Sequence, residues 1–194
     1  MRNLLFGFIF ISLSATTAPA VVTEQIIAIV NGQPLFQTDL LRHQTLFGMM
    51  TPTVKDLIHH KLLLLEAKQF VLSPPQEEEV ELAFKAVRKK FSEEASFDHA
   101  LKETGLTPDG LRREILDRLW VKKLIRDRIS FFIFITDAEI GQYYQQHQND
   151  FEQKAFKEVA EKIRAILEKE KEEMKVKEYL AQITSRSNIE INGR

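Results

Sequence analysis

IIAIVNGQP, residues 26–34, is a short β-branched run that stops at a turn, and it decides how the rest of the chain must fold. A strand standing alone leaves its backbone N–H and C=O groups unpaired, so Ile26 to Val30 requires a partner elsewhere in the sequence. Two segments could supply one: Phe131 to Ile135, and Ile189 with Ile191 near the C-terminus. Pairing with the second would bring the two ends of the chain into one very small sheet. Everything between them has to be helical, because 7 Gly and 6 Pro in 194 residues leave little room for the turns of a sandwich or barrel.

Helical signals fill that interval. Thr38 and Asp39 look like a cap and an acidic first turn, opening a helix to about Met50, where Thr51-Pro52-Thr53 breaks it. Val54, Leu57, Ile58, Leu62 to Leu65 and Phe70 form an apolar stripe wide enough for a helix at the centre of the core. Ser73-Pro74-Pro75-Gln76 reads as a cap, a first-turn proline and a box residue for a third helix through Val80, Phe84, Val87 and Phe91. Ser96 is expected to cap a short helix ending near Gly105. Thr107-Pro108 starts a long one, and Thr136 with Glu139 forms a capping box before Ile140. From about Gln153 to Ile183 neither Gly nor Pro interrupts a last helix, whose polar middle, Glu168 to Glu178, should be solvated.

The first twenty residues belong to a different category. Arg2 supplies a positive start, Leu4 to Leu13 are largely apolar, and Ala18-Pro19-Ala20 places small residues where a signal peptidase reads them. Residues 1–20 are therefore expected to be a signal peptide, cleaved after Ala20, which directs the chain to the periplasm. The apolar run is short for a membrane span, and the chain has no Cys to carry a lipid anchor or a disulfide. With 27 basic residues against 28 acidic ones, the net charge of -1 excludes an electrostatic nucleic-acid binder. Apolar residues at 44% are enough for a buried core.

The order of these pieces resembles the SurA and PrsA group of periplasmic foldases. The likeness rests on IIAIVNGQPLFQTDL (26–40), DLIHHKLLLLEAKQF (56–70), LTPDGLRREI (106–115), ITDAEIGQYYQQHQNDF (135–151) and the closing FKEVAEKIRAILEKEKEEMKVKEYLAQITSRSNIEI (156–191). It implies an all-α, mainly helical fold in which N- and C-terminal strands share a very small sheet, as in a SurA N-terminal or trigger-factor C-terminal chaperone module. Residues 21–151 would be the N-terminal chaperone domain, and 152–194 the long helix and closing strand that complete it. In that group a parvulin-type prolyl isomerase usually sits between the helix carrying Tyr143-Tyr144 and the closing helix. Here Asp150-Phe151 runs almost directly into Phe156, so the resemblance implies a non-catalytic chaperone. Its partners would be unfolded exported proteins, outer-membrane proteins among them, held in an apolar groove beside the long helix without ATP. The alternatives are a divergent prolyl isomerase and a dedicated assembly partner of one exported protein.

No catalytic, cofactor or metal motif stands out. His59 and His60 are adjacent on a helix, point about 100° apart and cannot share a metal at helical spacing, so the histidines read as polar surface residues. Gly-rich phosphate loops, GxSxG elbows and HExxH are missing from the sequence; no cofactor is expected. Leu46, Phe47, Met49 and Met50 cluster beside a turn and are the candidate client-binding residues, since Met suits a surface that repacks around different partners. Phe131, Phe132 and Phe134 are read as core. Export gives the first prediction: N-terminal sequencing of the protein from a periplasmic extract should begin at Val21, and full-length chain in the membrane fraction would refute it.

Overall fold

The computed structural model describes residues 24–70, 73–151 and 154–192. The expected signal peptide, residues 1–20, lies outside them. Strand β1 (Ile26–Val30) turns through Asn31 and Gly32 into β2 (Gln33–Phe36), so the segment read as a turn continues as a second strand. Asn31 and Gly32 have φ of 48° and 78°, the left-handed pair that a tight hairpin demands and that Asn-Gly adopts at least cost. On its other edge β1 pairs antiparallel with β3 (Ile189–Ile191), with Val30 opposite Ile189 and Ala28 opposite Ile191. Sheet order is β2-β1-β3, which leaves the most apolar strand in the middle. Asn31 reinforces the closure: its N–H donates to the Asn188 carbonyl and its Oδ1 accepts from the Asn188 N–H, both at 2.8 Å.

Seven α-helices are found among the described residues: α1 (Gln37–Thr45), α2 (Val54–Phe70), α3 (Glu77–Arg88), α4 (Glu94–Glu103), α5 (Pro108–Arg128), α6 (Asp137–Gln146) and α7 (Phe156–Ser185). The Thr107 hydroxyl accepts from the Gly110 N–H at 3.1 Å, and Thr136 with Glu139 forms the expected reciprocal box. Three other starts differ from the sequence expectation. Phe36, not Thr38, precedes α1, because the Asp39 carboxylate reaches back to the Phe36 N–H at 2.8 Å. Gln76 rather than Ser73 precedes α3, for the same reason: Glu79 accepts from the Gln76 N–H at 2.8 Å. Ser96 sits in the first turn of α4 behind Glu93, to whose carbonyl its hydroxyl donates. In each case a side chain one turn into the helix captures the N–H of the residue before it, and that contact sets the boundary. The helix α1 also stops at Thr45, short of Met50, and Gly48 turns the chain away with φ of 74°.

Apolar residues gather in three groups. The first joins the sheet (Ala28, Val30, Leu35) to α2, the second half of α5 and Ile183 at the end of α7. Helix α2 buries Leu57, Ile58, Leu62, Leu63, Leu64 and Ala67, a wide apolar face covered by the sheet and by α5. A second group holds α3, α4, Leu46 and the first half of α5, including Leu111 and Ile115. The third is separate: Ile140 of α6, Phe151, and Val159 and Ile163 of α7. Helix α7 is unbroken over 30 residues, about 45 Å at 1.5 Å per residue, and it belongs to the first group at one end and the third at the other. Its polar middle is mostly exposed, although Lys171 and Glu172 contact the segment that links α5 to α6.

Ile183 is 1% exposed and fastens α7 to the sheet. Ile183→Ala should cost about 3 kcal/mol, as a buried aliphatic truncation does, and deletion of residues 187–194 should lower the melting temperature by uncovering an edge of β1. An unchanged melting curve for both would mean that the end of α7 is not part of the cooperative core.

Candidate functional site

Helices α1, α2 and α5 enclose a charged cleft. Arg42 of α1 donates from Nε to the Thr104 carbonyl at 3.0 Å and from Nη1 to Asp39 at 2.7 Å, while Glu114 of α5 lies 3.9 Å away. Next on α1, the His43 ring meets His60 of α2 edge-on at 5.4 Å, and its Nδ1 lies 3.4 Å from the Met49 sulfur. Arg118 of α5 lays its guanidinium over the Phe47 ring, 3.5 Å from the centroid. A cavity of about 220 Å³ opens here, bordered by Asp39, Arg42, His43, His60, Glu114 and Asp117.

Burial dominates the protonation of this cleft. It holds His43 down to about 3 and His60 down to about 4, with the positive charge of Arg118 as the next cause for both. Burial also lowers Arg118 to about 10 and pushes the Glu114 carboxyl up. At neutral pH the two imidazoles are therefore uncharged. The surface placement expected of the histidines fails for this pair: His43 is 6% exposed and His60 is largely covered, because both face α5 rather than solvent. Among the described residues no three His, Cys, Asp or Glu side chains form a group that could hold a metal ion.

The four apolar residues singled out in the sequence part company. Leu46 is wholly buried in the second apolar group and offers no surface. Phe47 is half-buried under Arg118, and Met49 leans on His43. Met50, at 88% exposed, is the one that stands clear in solvent.

A larger apolar surface lies where core was expected. Ser130–Phe132 forms a single 3-10 turn after α5, and Phe131, Phe132 and Phe134 are 73%, 64% and 76% exposed. Phe131 and Phe132 meet edge to face at 5.3 Å. The segment is held from behind through its backbone: Lys171 donates to the Phe134 carbonyl and Arg164 to the Ile135 carbonyl, both at 3.0 Å. Ser130 hydrogen-bonds to the Glu172 carboxylate of α7. With the backbone pinned, Ile133 and Ile135 turn partly inward and the three rings turn out. Two depressions adjoin this segment, one bordered by Ser130 and Glu172 and the other by Phe132 and Ile133. One, of about 510 Å³, is bordered by His60, Arg118, Val121 and Ile125; the other, of about 290 Å³, by Ile129, Phe132, Ile133 and Tyr179. The linings mix apolar and charged groups, unlike the purely apolar groove expected beside α7. A signal for the ridge existed in the sequence. Five consecutive apolar residues, Phe131 to Ile135, fill the short link between two helices, and a single layer of neighbours covers only one side of such a run.

Comparison with known proteins points to one group. Over 105 residues, 52% of this chain and 31% of theirs, the sequence is 28% identical to the foldase protein PrsA of Clostridium botulinum strain Hall and to that of strain Okra. For PrsA of strain 657 the figures are 28% over 103 residues, 51% of this chain and 30% of the relative. The match thus spans about a third of the length of these curated relatives. No family model matches the chain. No helix among the described residues is long and apolar enough to cross a membrane.

The buried imidazoles make stability pH-dependent with a definite sign. Their folded values, about 3 and about 4, lie below the unfolded value of 6.5, so between them the unfolded chain binds more protons. The contribution is complete above pH 6.5 and is lost as pH falls toward the folded values; Glu114, shifted up, works in the opposite direction. Between pH 7 and 5 the melting temperature should fall, and His60→Gln should remove about half of that fall. An identical slope in the variant would show that His60 does not titrate on unfolding.

Proposed function

We propose that the chain is a chaperone of the foldase type that holds unfolded exported polypeptides without nucleotide, and that its working surface is the aromatic ridge of Phe131, Phe132 and Phe134. The exposure of those three rings carries the proposal. Each aromatic side chain can bury roughly 150–250 Å², and apolar burial is worth about 25 cal/mol per Å². The gross gain of several kcal/mol is then reduced by the cost of ordering the partner, which leaves weak, reversible holding. The mixed depressions beside the ridge let a bound segment place polar groups as well as apolar ones. Likeness to foldase proteins over half the chain supports the same function. The clients would be proteins in transit through the periplasm, such as outer-membrane proteins, and the signal-like residues 1–20 support that location.

Holding rather than prolyl isomerisation is proposed because the turn ending at Phe151 leads into α7 at Phe156, with no insertion between them to carry a catalytic domain. Uncatalysed X–Pro isomerisation takes roughly tens to hundreds of seconds, so catalysis would be conspicuous in a proline-limited refolding assay, and none is expected. Stoichiometric protein should nonetheless delay aggregation of a denatured outer-membrane protein. Replacing Phe131, Phe132 and Phe134 together by Ser should weaken that protection about tenfold while moving stability by roughly 0.5 kcal/mol or less per site, because the rings are exposed. Accelerated refolding by the wild type, or full protection by the triple variant, would overturn the proposal.

A further inference from the structure

The larger depression beside the ridge has a charge pattern that apolar holding does not use. Arg118, Lys122 and Arg126 border it, and they recur every fourth residue along one face of α5. Like charges at this spacing destabilise a helix by a few tenths of a kcal/mol per pair. The chain as a whole is nearly neutral, so this concentration of cations is local. Asp127 pairs with Arg126 Nε at 2.6 Å, and Glu172 on the opposite wall is engaged with Ser130. Arg118 is the most deeply set of the three, and its Nε and Nη2 have no hydrogen-bond partner among the described residues. Glu114 offsets its charge from a distance but gives those two atoms no hydrogen bond, so the guanidinium keeps a desolvation cost that a further carboxylate would reduce. Val121 and Ile125 supply apolar wall between the cations. Ser130 borders the depression and also begins the turn that carries Phe131 and Phe132, so the cationic face and the aromatic ridge are continuous.

We propose that this depression is a carboxylate subsite: it receives a Glu or Asp side chain of the held polypeptide while the neighbouring apolar residues of that segment lie on Phe131 and Phe132. The inference rests on the holding function and adds to it a preference for acidic residues set among apolar ones. The probe is a short dansyl-labelled peptide of Leu, Phe and Ser, amidated at its C-terminus and carrying one central Glu, compared with its Gln twin. The Glu peptide should bind about tenfold more tightly at low salt, as a charge-assisted contact allows, and the difference should shrink at about 0.5 M salt, where exposed charges are screened. In the Lys122→Gln, Arg126→Gln double variant, whose altered side chains are exposed and whose fold circular dichroism would verify, the difference should largely disappear. Arg118→Met, which keeps an unbranched side chain beside Phe47 but removes the guanidinium, should abolish it. Equal binding of the two peptides by the wild type, or a preference unchanged in all the variants, overturns the subsite. Aggregation protection measured in parallel separates the two ideas. Protection without a Glu preference sinks the subsite and leaves the holding function standing; a Glu preference without protection supports the subsite and counts against holding.

Discussion

Both edges of β1 are occupied, by β2 on one side and β3 on the other, and the second pairing fixes where α7 lies. β3 enters directly after α7, so docking the strand also docks the end of the helix, and Ile183 joins Val30, Leu62 and Leu124 in one apolar group. Because α7 is continuous, fixing that end aims the other, roughly 45 Å away, where Val159 and Ile163 collect α6 and Phe151 into a group of their own. The link between α5 and α6 must then run along the middle of α7. Its backbone carbonyls are taken by Lys171 and Arg164, and its phenylalanine rings have nowhere to go but outward. A three-residue strand thereby helps to place an exposed aromatic surface along α7.

The interior around α1, α2 and α5 follows another logic. Charged and titratable groups there are neither expelled nor fully paired: Arg118 stacks on Phe47, two neutral imidazoles touch, and Arg42 bridges α1 to the end of α4. Buried polar groups of this kind cost more than hydrocarbon would at the same positions. Their compensation is geometric, since planar groups and directed hydrogen bonds hold α1 in one orientation across α2 and α5, which close-packed methyl groups would do less strictly. The same α5 residues face the depression beside the ridge, so the polar interior and the outer surface share a wall at Arg118 and His60.

How much of this was legible in the sequence depended on whether a residue's fate was set locally. The strand at Ile26, the unbroken last helix and the caps at Thr107 and Thr136 were readable because periodicity and hydroxyl chemistry act within a few residues. The C-terminal partner of that strand was one of two candidates, and only the pairing itself decides between them. The starts of α1, α3 and α4 were displaced by side chains reaching back from the first turn, a competition that composition alone does not rank. Leu46 and the phenylalanine run exchanged roles for a less local reason. Leu46 is covered by helices that arrive later in the chain, whereas Phe131, Phe132 and Phe134 lie on a link whose inner side is already filled by α7. Hydrophobicity alone does not separate the two, and which of them is covered depends on tertiary neighbours.

The span between Asn31 and Asn188, 157 residues apart yet joined by hydrogen bonds, also governs timing. A chain made from its N-terminus forward carries β1 with one edge bare until β3 has been released, because Asn188 follows Asn31 by 157 residues, and loop closure over that length comes late in folding. Helical hairpins can form as they emerge, but the sheet waits. An interrupted synthesis product would therefore present an unpaired, β-branched strand beside an uncovered apolar core, the kind of edge on which other chains assemble. A protein proposed to shield such segments in others would, if stopped short of β3, need shielding itself, which places a premium on making β3 before the rest is put to use.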